Sequence, residues 1–228
     1  MKNRKNISII LNLIIFVFTL FATVSMIIGF EFMGDAKALS SRNFYAFKYF
    51  TVDSNVFAAL VSLAYVIYRF TPSGKENEYL NRGFYILKLA ATTGVTLTML
   101  VTIFFLSPKM GSSFLMLFMN SNLFMHLITP LLCIISFIFF ESVKRDDSKF
   151  YFSLSGIIPM LLYAIFYIPN ILLHLEEGKP SHTYDWYGFL DGGINTAWFV
   201  FPAILVVTWL FALALWGANR GFSKKLEN

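Results

Sequence analysis

The stretch FKYFTVDSNVFAALVSLAYVIYRF, residues 47–70, decides the fold class of the chain. It is long and apolar enough to cross a bilayer as a helix, since about 20 helical residues span ~30 Å of hydrocarbon. Its beginning is nevertheless polar, with four such side chains in five residues: Thr51, Asp53, Ser54 and Asn55. Polar groups are costly in lipid and usually face the interior of a helix bundle. The stretch therefore predicts both a membrane span and a polar site at one end of it.

The rest of the chain has the composition of a polytopic membrane protein. Of its 228 residues, 57% are hydrophobic and only 14% are charged, whereas soluble domains average about 25% charged residues. Lipid admits only helices or closed barrels, and the apolar runs are too long for barrel strands. We expect an all-α bundle of six transmembrane helices that forms a single domain over residues 1–228. The predicted spans lie near residues 7–30, 48–70, 84–107, 118–140, 153–174 and 195–218.

The lysines and arginines predict the orientation of these spans. Five of the 18 fall on one side of the membrane: Lys37, Arg42, Lys48, Lys109 and Lys179. The other thirteen, Lys88 among them, flank the opposite ends of the spans. Because cytoplasmic segments are enriched in Lys and Arg, both termini are predicted to be cytoplasmic and the protein to reside in the cell membrane.

The sequence lacks the motifs of several common binding and catalytic sites. The single cysteine, Cys133, excludes an intrachain disulfide, and there is no zinc-ligand spacing, phosphate-binding glycine loop or G-x-S-x-G elbow. We therefore expect no metal and no cofactor. The net charge of +5 comes from residues that flank apolar segments. It is explained by membrane topology, so nucleic acid is not an expected partner.

Polar residues recur on four spans at the predicted outer level. The candidate site residues are Thr51, Asp53 and Asn55 on the second span, Asn122 and His126 on the fourth, Asn170 and His174 on the fifth, and Asp191 and Asn195 at the beginning of the sixth. We expect the inner halves of the spans to be much more apolar. The charges at 141–149 are expected to form a solvated loop.

Three motifs resemble those of a known family. YFTVDSN at 49–55, HLITPLL at 126–132 and YDWYGFLD at 184–191 are similar, in number of helices and motif order, to the androgen-induced/FAR-type six-transmembrane family. The resemblance covers the whole chain and is strongest to the bacterial members. Animal members are intramembrane hydrolases that cleave fatty acid esters of hydroxy fatty acids with a threonine nucleophile and a histidine.

The resemblance implies that Thr51 is the nucleophile and His126 the general base of a lipid-ester hydrolase. A hydroxyl nucleophile needs such a base, and neutral imidazole is a suitable one near neutral pH. Acyl transfer also needs donors for the developing oxyanion, for which Asn55, Asn122 and Asn170 are candidates. The remaining supporting candidates are Asp53 and Asp191 as carboxylates that orient the histidine, together with His174 and Asn195.

The same residues are also compatible with two other functions, proton-coupled transport and non-catalytic lipid binding. A proton-coupled transporter would use Asp53, His126, His174 and Asp191 as titrating groups, but the polar residues stop in the outer half and no repeat is visible. A non-catalytic lipid-binding protein would use the same polar layer for a lipid head and the apolar bundle for its chains. The expected partner in the enzyme and in the binding protein is a lipid or fatty-acyl ester.

Overall fold

The structure, a computed structural model, describes residues 2–34, 42–144, 149–190 and 192–227. Over these residues it is helical, with six helices long and apolar enough to cross a membrane. They are α1 (Asn3–Ile28), α2 (Phe50–Phe70), α3 (Arg82–Lys109), α4 (Ser121–Phe140), α5 (Phe150–Leu173) and α6 (Ile194–Ser223). Shorter helical turns at Asn43–Lys48, Pro72–Glu76 and Gly111–Phe118 lie between them. The prediction of an all-α protein with six helices long and apolar enough to cross a membrane is confirmed, and each helix boundary lies within five residues of its predicted position.

Helix α3 is the centre of the bundle. In the most apolar 18-residue stretch of α3, 67% of the residues are buried inside the protein, whereas in the corresponding stretch of α6 only 17% are. The start of α5 packs tightly on it at Gly156, where an added Cβ would come within 2.2 Å of Ala212 and 2.9 Å of the Thr93 hydroxyl. A glycine is required there because no side chain fits between these helices.

Two of the helices contain a wide π-helical turn just before a proline. The turn Thr102–Leu106 precedes Pro108 in α3, and the turn Phe124–Ile128 precedes Pro130 in α4. Proline has no N–H and its ring collides with the carbonyl four residues earlier, so the preceding turn cannot keep regular α-helical bonding. In α4 this widened turn carries His126.

Hydrogen bonds between segments define two ends of the bundle. At one end the Leu80 N–H donates to the Ser142 carbonyl at 2.7 Å, and the Lys5 ammonium donates to the Gly74 carbonyl at 2.6 Å. We call this the terminal end, because α1 begins and α6 finishes there. The opposite, loop end contains the segments after α1, α3 and α5. Six helices that alternate in direction are expected to place both termini and the second and fourth connecting segments at one end, as the structure does.

The outer surface of the bundle is strongly apolar. Large hydrophobic side chains are highly exposed on α5 and α6, including Phe166 at 76%, Leu173 at 80% and Trp198 at 87%. Exposed apolar surface of this extent is unfavourable in water and suits a lipid surrounding.

Candidate functional site

The segment that carries YDWYGFLD lies over the beginning of α2. The Tyr187 hydroxyl accepts a hydrogen bond from the Phe50 N–H at 2.9 Å and lies beside the Thr51 side chain. Removal from water raises the pKa of the Tyr187 hydroxyl above its ordinary value. The hydroxyl therefore stays neutral and keeps its proton as a donor next to Thr51. Two of the three sequence motifs meet at this point.

A second set of hydrogen bonds joins the same segment to α5. The Trp186 indole N–H donates to the Tyr163 hydroxyl at 3.0 Å, and that hydroxyl donates to the Lys48 carbonyl at 2.7 Å. The Lys48 ammonium in turn lies 5.3 Å from the centre of the Trp186 ring, within range of a cation–π interaction. These bonds hold the loop, α5 and the residues before α2 as one unit.

Asp185 fixes the shape of the loop itself. It is only 2% exposed, and its carboxylate accepts hydrogen bonds from the Tyr167 hydroxyl, the Phe189 N–H at 3.1 Å and the Leu190 N–H at 2.8 Å. Sequence reasoning selected Asp191 from the same motif, and that residue lies outside the described part of the chain. Nothing in the spacing distinguished the two aspartates, because the three donors to Asp185 come from the loop fold and from α5.

Asn55 connects α2 to the turn that carries His126. Its amide donates to the Thr51 carbonyl at 2.8 Å and to the Met125 carbonyl at 3.0 Å. Asn55 is fully buried, and its own carbonyl oxygen has no hydrogen-bond partner in the part of the chain that the structure describes. The first and second motifs therefore also meet, so that all three converge at the loop end of the bundle.

His126 is buried, and its ring is oriented by a backbone group. Its Nδ1 lies 2.9 Å from the carbonyl oxygen of Leu117. A carbonyl only accepts, so this bond places the ring proton on Nδ1 and leaves Nε2 as the basic nitrogen. Both Thr51 and His126 are described, and no hydrogen bond joins their side chains. The structure thus brings the two residues to the same end of the bundle without a hydrogen bond between their side chains.

A large cavity opens between α2 and α5, next to these motifs. Its volume is about 950 Å³, and most of its wall is apolar or aromatic. Besides tyrosines and a tryptophan, five polar residues line it: Lys48, Asp53, Ser54, Asn170 and Thr183. No hydrogen bond or ion pair to the Asp53 carboxylate occurs among the described residues. Asp53 and Asn170 are therefore brought together in one cavity, while Thr51 and His126 do not line it.

The remaining candidates are more dispersed. Asn122 is buried in the first turn of α4. His174 is exposed, with its ring stacked on Tyr184 at 3.9 Å and its Nδ1 2.8 Å from the Asn170 carbonyl. Asn195 is exposed on the turn that begins α6. Of these residues, His174 is near the cavity, because both of its partners line it.

The terminal half of the bundle contains charged groups, contrary to the expectation of an apolar inner half. Lys88 and Glu141 form an ion pair at 3.1 Å with both side chains almost fully buried. Asn12 donates to Glu141 at 2.7 Å and accepts from Lys88 at 2.6 Å, and the Ser136 hydroxyl donates to Glu141 at 2.7 Å. The placement of Glu141 in a solvated loop and of Lys88 in a loop flank was wrong. Each charge tolerates burial because the folded bundle supplies the other.

Within the described residues, no group of three or more His, Cys, Asp or Glu side chains is placed to hold a metal ion.

Comparison of the chain with protein-family models, with curated proteins and with solved structures gave no match. The resemblance to the androgen-induced/FAR-type family stays an expectation that rests on the three motifs.

Proposed function

We propose that this protein is a multi-pass cell-membrane protein that binds an acyl lipid at the loop end of its bundle. Both termini are placed in the cytoplasm, because most Lys and Arg residues of the sequence flank the terminal end. The cavity between α2 and α5 would then open toward the outer leaflet.

The observation that carries this proposal is the composition of that cavity. Its size, about 950 Å³, is at the upper end of what small-molecule sites occupy. Apolar walls from residues such as Phe57 and Leu162 suit an acyl chain, and the polar groups Lys48, Asp53 and Asn170 suit a head group or ester. An amphipathic lipid satisfies both parts at once.

The position of the inner ion pair supports lipid binding over proton-coupled transport. A buried apolar cluster that includes Ile15, Val61, Val95 and Cys133 lies in the middle of the helices that carry it. A transporter needs a polar route through the membrane, and apolar members of this cluster follow Asp53 along α2 and precede Glu141 along α4.

Filling the cavity tests the proposal. Leu162→Trp places a larger ring in the cavity, so binding of a fluorescent fatty acid to the purified protein should weaken by tenfold or more. Ile165→Trp is the matched control, since Ile165 lies on the same helix, is 62% exposed and does not line the cavity. Equal binding by both variants and the unchanged protein would contradict lipid binding at this cavity.

Ester hydrolysis by Thr51 and His126 is a second candidate, favoured by the convergence of the three motifs. In this reaction the Thr51 hydroxyl attacks the ester carbonyl while its proton passes to Nε2 of His126. The imidazolium then protonates the leaving alkoxide, and water attacks the acyl-threonine to release the acid. The Leu117 carbonyl would hold the imidazole in the required tautomer, the task that the sequence assigned to a carboxylate.

In this proposal the neutral Tyr187 hydroxyl, which lies beside the Thr51 side chain, donates to the developing oxyanion. The Asn55 amide already donates to the Thr51 and Met125 carbonyls. The reaction requires Thr51 and His126 to approach each other when an ester binds, since hydrogen bonds of a catalytic pair often tighten only with substrate.

Covalent labelling with a fluorophosphonate separates the two candidates. Hydrolysis predicts that Thr51 is the labelled residue and that Thr51→Ala and His126→Ala lose labelling and ester turnover while fatty-acid binding persists. Thr51→Ser is the conservative control, which should retain part of the labelling. Labelling that is unchanged in Thr51→Ala would exclude the nucleophile and leave the binding function intact.

A further inference from the structure

A second cavity, of about 460 Å³, lies at the terminal end of the bundle. It is formed by the beginning of α1, the end of α2 with the following loop, and the end of α4. Four basic side chains and two acidic ones line it: Arg4, Lys5, Arg69, Lys75, Glu76 and Glu78. The lining thus carries an excess of two positive charges.

The basic groups in this cavity are held by neutral acceptors. The Lys5 ammonium donates to the carbonyls of Gly74 at 2.6 Å and Lys75 at 2.7 Å. The Arg69 guanidinium, on a side chain only 2% exposed, donates to the Tyr65 hydroxyl at 3.0 Å and to the Asn77 carbonyl at 2.7 Å.

Arg4 has the same kind of partners. It donates to the Phe139 carbonyl and to the Ser142 hydroxyl. Within the described residues, none of Arg4, Lys5 and Arg69 lies in a salt bridge with a carboxylate. Their positions are fixed by hydrogen bonds to neutral groups, and the two carboxylates in the lining, Glu76 and Glu78, offset only part of the four positive charges. The cavity is therefore a preorganised site with a net positive charge, which suits an anion.

The cavity also has an apolar side. Ile9, Phe70 and Phe140 line it, and Phe70 is 62% exposed on the surface of the bundle. Basic groups beside apolar side chains at a helix end match a phospholipid, whose phosphate lies at the membrane surface and whose chains lie below it. Free phosphate would satisfy the basic groups and leave the apolar side unused.

We propose that this cavity binds the phosphate head group of an anionic phospholipid in the leaflet at the terminal end. Lys5, Arg4 and Arg69 contact the phosphate, and Phe70 and Phe140 contact the beginning of the acyl chains. The site is distinct from the acyl-lipid cavity at the loop end, and it does not depend on the function proposed for that cavity.

The test measures binding of phosphatidylglycerol to the full-length protein in detergent, with phosphatidylcholine of the same chains as the neutral comparison. Phosphatidylglycerol should bind at least tenfold more tightly. The double variant Arg4→Gln/Lys5→Gln should bind it about 25-fold more weakly, since each basic group near an anionic lipid contributes roughly fivefold.

The matched control removes two positive charges at the other end of the bundle, as Arg42→Gln/Lys109→Gln, and should bind phosphatidylglycerol like the unchanged protein. Lys75→Glu changes an exposed side chain without removing a hydrogen bond, so it tests the site even if the double variant fails to fold. Weaker binding in Lys75→Glu supports the site.

Competition by soluble glycerol phosphate shows whether the site binds the phosphate of a phospholipid or a free phosphate. Failure of glycerol phosphate to compete at a thousandfold excess over the lipid supports a phospholipid site, and full competition overturns it in favour of a free phosphate. Equal affinity for the two lipids, or equal losses in the Lys75→Glu and control variants, would also overturn the proposal.

Discussion

The two ends of the bundle bury polar groups in opposite ways. In the terminal half, Lys88 and Glu141 are both charged groups that neutralise each other, and Asn12 bonds to both. At the loop end Asn55 bonds only to neutral carbonyls, and Asp53 faces an open cavity with no hydrogen-bond or ion-pair partner among the described residues. The difference indicates that the charged network in the terminal half holds helices together, whereas the loop end leaves a polar group available for a ligand.

The largest effect on stability should come from breaking the buried ion pair between Lys88 and Glu141. Lys88→Met or Glu141→Leu alone leaves one buried charge unpaired and should lower the free energy of unfolding by about 3–5 kcal/mol. The double variant removes both charges and should recover most of that loss. Unfolding in detergent measures all three proteins, and a double variant as unstable as the sum of the singles would refute a specific pair.

The next largest effect is expected in the segment between α5 and α6, which covers the beginning of α2 at the loop end. Asp185→Asn weakens the buried bonds to Tyr167 and Leu190, each of which is made to a charged acceptor, and should destabilise the protein by roughly 2 kcal/mol. Limited proteolysis should then cut the segment between α5 and α6 faster. The control is Glu177→Gln, an exposed carboxylate of the same segment, and equal cutting in both variants would count against Asp185 as the anchor.

Tyr187→Phe should have a smaller effect that depends on pH. The lost bond to the Phe50 N–H is worth about 1 kcal/mol near neutral pH. Because the pKa of Tyr187 is raised in the folded protein, the unfolded chain ionises first, above pH ~10, and folding stability falls as pH rises further.

The variant lacks this contribution, so its stability should fall less than that of the unchanged protein between pH 8 and pH 11. Tyr45→Phe, at a tyrosine that is 77% exposed, should reproduce the pH profile of the unchanged protein. If Tyr187→Phe and Tyr45→Phe give the same profile, the buried hydroxyl is not the cause.

The smallest effect on stability is expected for Asp53→Asn. Since this carboxylate has no partner among the described residues, the substitution should change the free energy of unfolding by no more than about 0.5 kcal/mol. Binding of a fluorescent fatty acid should change instead. A stability loss near that of Glu141→Leu would remove the contrast between the two ends of the bundle.

The candidate site was partly predictable because helical spacing is visible in a sequence. Asn122, His126, Thr129, Cys133 and Ser136 follow one another at intervals of three or four residues, and all five are buried on α4. The same reasoning failed for Glu141. This residue directly follows the last turn of α4, so the sequence predicted a solvated loop position for a side chain that is in fact buried. Its partner Lys88 lies 53 residues earlier, and a contact at that distance has no periodic signature.

The sequence by itself determined the class of protein, the number of helices and the ends of those helices, because these follow from runs of apolar residues and from local spacing. Tertiary structure alone decided that Asp53 and Asn170 share a cavity, that Tyr187 lies at Thr51 and that Leu117 orients His126. Each of these depends on how separate helices and loops pack, and packing is set by contacts between residues far apart in the chain.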